Sequence, residues 1–146
     1  MANRFSKGHA VAARSLAQRL RIPAASLLTG YWIALFISTH LPHPERFIPA
    51  DLWDKGLHFV AYGGLAALML FNLLLRGPLR WSRVAAIVAA VATIGLLDEV
   101  TQIPVGRSFD LLDLLADVIG AIAATTIMAA VVIVIQRPPR REAPQI

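Results

Sequence analysis

The sequence predicts an all-α membrane protein, a bundle of four transmembrane helices with its N-terminus and C-terminus both on the cytoplasmic side. Three observations predict it. Hydrophobic residues fill 57% of the 146 positions and charged residues only 16%, against about 25% charged in an ordinary soluble domain. A soluble fold this small has too little interior to hide so much apolar surface, whereas a bilayer accepts it. The apolar residues gather into four runs, each close to the ~20 residues that cross a hydrocarbon core of about 30 Å. The basic residues between those runs fall on one side.

Residues 1–22 form a basic leader. On a helical wheel Lys7, Arg14, Gln18 and Arg21 share one face, and Phe5, Ala12, Leu16 and Leu20 the other. That pattern suits an amphipathic helix lying on the inner leaflet; a frayed basic terminus is the plainer alternative. The membrane domain follows at 23–136. Its runs are 23–40, 56–75, 81–101 and 111–135. Pro42 and Pro44 punctuate the first loop, Arg76-Gly77-Pro78 the second, and Pro104-Val105-Gly106 the third. His40-Leu41-Pro42-His43-Pro44 offers no small-residue cleavage site, so the first run reads as a retained span. None of the runs alternates as a membrane strand would. The tail 137–146 is basic, proline-rich and expected to be disordered. With no cysteine in the chain, disulfides, thiolate metal sites and cysteine nucleophiles are excluded.

The net charge is +5 and the isoelectric point about 10.7. Because the basic residues flank apolar spans, they point to topology and anionic lipid, and not to nucleic acid. Arg4, Lys7, Arg14, Arg19, Arg21, Arg76, Arg80, Arg83, Arg137, Arg140 and Arg141 fall on one side. Only Arg46, Lys55 and Arg107 fall on the other. Eleven against three makes the first side cytoplasmic. Trp53 and Trp81 sit where interfacial aromatics belong. The acids are biased the opposite way. Glu45, Asp51, Asp54, Asp98, Glu99, Asp110, Asp113 and Asp117 lie at or near the outer side, and only Glu142 lies inside. Such a surplus of carboxylates calls for protonation, hydration or a bound cation.

Three helix ends supply a polar constellation. Asp54, His58 and Tyr62 are spaced four apart and share a face, with Lys55 beside them. Asp98 and Gln102 share a face at the end of the third span, and Glu99 sits about 100° away. Asp110, Asp113 and Asp117 form one stripe at the start of the fourth. Arg107 lies in the short connection that makes the last two helices neighbours. Ionisable groups facing lipid are costly, so these stripes should face the bundle interior or a wet cavity. Each residue also has a structural reading. Lys55 and Arg107 fit ion pairs, and His58 fits a packing hydrogen bond. Asp54 and Asp110 fit helix N-caps. Gly120 fits close helix packing, and Pro104-Val105-Gly106 a turn.

At these residues the sequence resembles the VanZ-like family. The matching pieces are Asp54-Lys55-Gly56-Leu57-His58-Phe59 with Tyr62, then Asp98-Glu99-Val100-Thr101-Gln102, then Gly106-Arg107 with Asp113 and Gly120. The family pattern carries asparagine where this chain has Asp117. The resemblance implies a small multispanning protein of the bacterial cytoplasmic membrane. The family's founding member is linked to teicoplanin resistance.

Three functions stay open. One is a binding protein whose acid-rich outer site takes a cell-envelope component, a lipid head group or a glycopeptide-related ligand. Its ligand residues would be Asp54, Lys55, Tyr62, Gln102, Arg107, Asp110, Asp113 and Asp117. Another is a small enzyme acting on a lipid-linked phosphate or cell-wall precursor. His58 would be its acid or base, beside Asp98 and Glu99. Mg²⁺ or another hard divalent cation would be held by Asp98, Glu99 and Asp113. The third is an ion-coupled carrier, which with four spans would need a homo-oligomer.

Overall fold

The computed structural model describes residues 2–41 and 52–136, with side chains described from 14 to 41 and from 55 to 136. The side chains of Trp53 and Asp54, the leader side chains before Arg14, the charged first loop and the tail lie outside the described residues. Four helices run through the described part: α1 (Ala2–Thr39), α2 (Leu52–Leu74), α3 (Trp81–Gln102) and α4 (Leu111–Gln136). Each holds a stretch long and apolar enough to cross a membrane: Arg14–Thr39, Lys55–Leu74, Trp81–Val105 and Leu111–Gln136. The four-span, all-helical expectation holds.

One expectation is redrawn. The leader and the first span are a single 38-residue helix that continues through Pro23. The proline removes one N–H, the partner of the Arg19 carbonyl. In a long membrane helix that single loss is tolerated, because the flanking turns keep their own bonds.

The tightest pair is α2 against α4. Its crossing point is made of glycine. A Cβ on Gly120 would stand 2.1 Å from the Phe59 carbonyl oxygen, and one on Gly63 would stand 3.1 Å from the Gly120 carbonyl oxygen. Lipid tails are as apolar as leucine, so helices in a bilayer associate through such backbone proximity and through interhelical hydrogen bonds. Tyr62, Leu65, Ala66 and Leu70 of α2 fill the interior with Val84, Ile87 and Val91 of α3 and Ala121 of α4.

The buried stripe of α3 sorts its own chemistry. It runs Val84, Ile87, Val91, Gly95, Asp98, Glu99, Gln102, apolar at one end and polar at the other. The stripe of α4 runs the other way, from Asp113 and Asp117 through Gly120 to Ala129. Antiparallel packing therefore brings both polar ends together. The turn between them is a short 3₁₀ segment, Ile103–Val105, closed by Gly106 at φ 87°, a conformation that glycine adopts without penalty.

α1 is attached differently. Only 6% of its most apolar stretch is buried, against 39% for α2. Leu28, Tyr31 and Leu35 pack against the core, and hydrogen bonds add to that hold. Tyr31 Oη donates to the Ala61 carbonyl at 2.8 Å, Asn72 Nδ2 to the Ala24 carbonyl at 3.1 Å, and Arg21 Nε to the Leu75 carbonyl at 3.2 Å.

Candidate functional site

The end of the bundle where α1 and α3 finish and α2 and α4 begin is polar and largely buried. His58, Asp98, Glu99, Gln102, Asp113 and Asp117 are each 5% exposed or less. The interior placement follows from the cost of facing lipid. Within it the residues divide into two groups, because Asp98 and Glu99 are consecutive on a helix and so diverge by about 100°.

Asp98 turns toward α1. Its carboxylate accepts from Thr39 Oγ1 at 2.9 Å and from Gln102 Nε2 at 2.8 Å. His40 Nδ1 stands 3.6 Å away, and His40 Nε2 meets Thr101 Oγ1 at 3.0 Å. The Tyr62 hydroxyl lies within electrostatic reach of Asp98 and Asp117. Thr39, His40 and Thr101 belong to this group although the sequence reading did not single them out. Their one signal is a Thr-His pair ending the first span on the side where the other polar helix ends gather.

Glu99 turns toward α4, where its Oε2 accepts the Asp110 backbone N–H at 2.8 Å. Lys55 Nζ bridges Asp110 Oδ2 at 2.9 Å and Asp113 Oδ1 at 3.0 Å. His58 Nδ1 meets Asp117 Oδ1 at 2.9 Å, and His58 Nε2 stands 4.0 Å from Asp113 Oδ2. The His58 ring stacks parallel on Tyr62, centroids 5.9 Å apart. Arg107 Nη1 donates to the Thr39 carbonyl at 3.1 Å, and the Arg107 charge also reaches Glu99. Asp117 Oδ2 is buried with no hydrogen-bond partner among the described residues. It sits where a Cβ on Gly95 would come within 2.6 Å, so this glycine makes room for it.

The metal set expected from sequence was Asp98, Glu99 and Asp113. The group whose donor atoms lie within 4.8 Å of one another is instead His58, Glu99 and Asp113. Asp98 is turned away and its two oxygens are engaged by Thr39 and Gln102.

Asp110 serves as the N-cap of α4. Its Oδ1 accepts from the Leu112 N–H at 2.7 Å, satisfying a donor that the first turn leaves open. It lies just outside the fourth span. The Lys55 ammonium, and then the Leu112 N–H, hold its carboxyl below the usual range. A depressed folded pKa adds stability above the unfolded value, and that stability is lost as pH falls through the folded one. The melting temperature of the purified protein in detergent should therefore fall as pH drops below about 4. Asp110→Asn should flatten that part of the slope. Identical acid limbs for the two proteins would remove Asp110 from the account.

Beside the charged network lies an apolar cleft of about 190 Å³. Trp32, Leu35 and Phe36 of α1 form one wall, and Ile94 and Leu97 of α3 the other. Tyr62 lines the cleft between them, with Asp98 and Thr101 as its polar members.

These features define a class: a multispanning membrane protein with a buried polar centre at one end of the bundle and an apolar cleft beside it. The VanZ/LLP1 family model matches residues 5–134, nearly the whole chain, and the protein belongs to that family. No curated protein and no solved structure matches it.

Proposed function

We propose that this protein binds an amphipathic envelope component, a lipid or a lipid-linked cell-wall precursor, at the outer face of the bacterial cytoplasmic membrane. The tail would lie in the cleft between α1 and α3, and the head group would lie toward Thr101, which borders the cleft. The cleft carries this reading. Its lining is apolar almost throughout, as a hydrocarbon chain requires, and Asp98 and Thr101 border it. At about 190 Å³ it falls below the ~300 Å³ of a full small-molecule pocket. It therefore suits part of a chain whose remainder stays in the bilayer. Native mass spectrometry of the protein extracted in mild detergent should find a retained lipid. Leu97 is 57% exposed, so Leu97→Trp should fold normally, narrow the cleft and lower that retention severalfold. Equal retention by both proteins would overturn the reading.

The orientation rests on the charge asymmetry, eleven basic residues against three. The chain has no cysteine of its own, so single cysteines report cleanly. A membrane-impermeant maleimide should label Ser108→Cys in intact cells and Pro78→Cys only after lysis. The reverse pattern would place the polar end in the cytoplasm.

A further inference from the structure

We infer that the end of the bundle opposite the polar centre binds the phosphate of an anionic phospholipid, held between the guanidinium groups of Arg21 and Arg83. Arg21 comes from α1 and Arg83 from the first turn of α3, and both close on the chain that joins α2 to α3. Arg21 Nε donates to the Leu75 carbonyl at 3.2 Å, and Arg83 Nη1 to the Pro78 carbonyl at 3.2 Å. Those carbonyls are three residues apart in sequence, so at most about 11 Å of chain separates them. Gly77 lies between them, and a Cβ there would stand 3.1 Å from Arg83 Nη1; the guanidinium rests against bare backbone.

The two forks are tied down without being used up. A guanidinium carries five N–H donors, and one nitrogen of each is engaged with the turn. The remaining donors meet no acceptor among the described residues. An arginine anchored in this way has already given up much of its rotamer freedom, which lowers the cost of holding an anion.

Charge balance supplies an independent reason. Arg76 and Arg80 lie in the same connection, and Arg14 and Arg19 precede Arg21 on α1. Every carboxylate among the described residues, from Asp98 to Asp117, belongs to the other end of the bundle. The ion pairs among the described residues lie at that other end too. Like charges gathered without a counter-charge repel one another, so the balancing anion comes from outside the described chain.

Position and residue type select the anion. The turn lies just beyond the spans Lys55–Leu74 and Trp81–Val105, where head groups begin. Trp81 is 64% exposed and marks that level as interfacial aromatics do. Orienting a span asks only for positive charge, which lysine supplies as well. Every described basic residue at this end is arginine, whose planar fork matches two phosphate oxygens at once. A zwitterionic head group brings a cation of its own into these basic surroundings, so a net-negative one is favoured.

The test uses the full chain, delipidated in an uncharged detergent, with its melting temperature followed as phosphatidylglycerol is added to the micelles. A saturable rise is expected, with phosphatidylcholine giving clearly less and inorganic phosphate none. Arg21→Gln and Arg83→Gln should each raise the half-saturating lipid fraction about fivefold. Arg19→Gln removes the same charge from the same stretch of α1 but no fork tied to the turn, and should raise it clearly less. Should Arg21→Gln misfold through loss of its tie to Leu75, Arg83→Gln carries the comparison. Leu97→Trp, at the other end of the bundle, should leave the response intact, which separates this site from lipid in the cleft. Equal protection by phosphatidylcholine or by inorganic phosphate, or equal shifts in Arg19→Gln and Arg83→Gln, would overturn the site.

Discussion

Gly120→Ala is expected to destabilise the bundle by about 3 kcal/mol or more, at or beyond the top of the range for overpacking. The new Cβ would fall 2.1 Å from the Phe59 carbonyl oxygen and 2.9 Å from its carbon. Both are backbone atoms, so no side chain can swing aside and the helices themselves must part. Parting them loosens the α2–α4 interface that also aligns His58 with Asp117. Gly30→Ala is the matched control, because nothing lies within 4 Å of a Cβ there. The comparison is the temperature at which each purified variant stops eluting as a single species. A Gly120→Ala protein that melts with Gly30→Ala would mean that α2 and α4 do not cross as closely as described.

Asp117→Ala is expected to cost about 1–3 kcal/mol for the buried donor it strands, with a further cost for the void it leaves. His58 would lose the acceptor 2.9 Å from its Nδ1, and a void would open against Gly95. Asp117→Asn should cost much less. It keeps a carbonyl acceptor for His58 in the same place and puts a neutral group where the orphan Oδ2 now sits. Asparagine is also the residue that the VanZ-like pattern carries there. Melting of both variants decides the matter. An Asp117→Ala protein as stable as Asp117→Asn would show that the pair with His58 contributes nothing.

The spans were legible because each is a local property: a run of apolar residues of bilayer length, ended by proline or glycine. The polar centre was legible as a place, since Asp98–Gln102 and Asp113–Asp117 follow from helical spacing and the short connection forces α3 beside α4. The internal wiring was not. Asp98 meets Thr39 across 59 residues, and nothing in either segment encodes the rotation of α1 about its own axis. The grouping of the acids was hidden for a related reason. Asp98 and Glu99 look equivalent in sequence, but one residue of helical advance sends them to different neighbours. The join of leader and first span was not legible either, because the change from basic to apolar composition near residue 22 marks no break in the backbone of α1. Gly95 gave no signal, because its role is to leave space for a side chain on another helix.

α1 is moored at a few points and otherwise washed by hydrocarbon. Beside the packing of Leu28 and Leu35, its ties are hydrogen bonds, and these hold in an anhydrous medium but compete poorly with water. The surrounding lipid therefore acts as a structural component, shielding those ties from exchange. A harsh, short-chain surfactant that lets water reach them should release this helix before the other three separate. The Thr39 hydroxyl would leave with it, exposing Asp98, and one wall of the cleft would be gone while the glycine seam between α2 and α4 stayed shut.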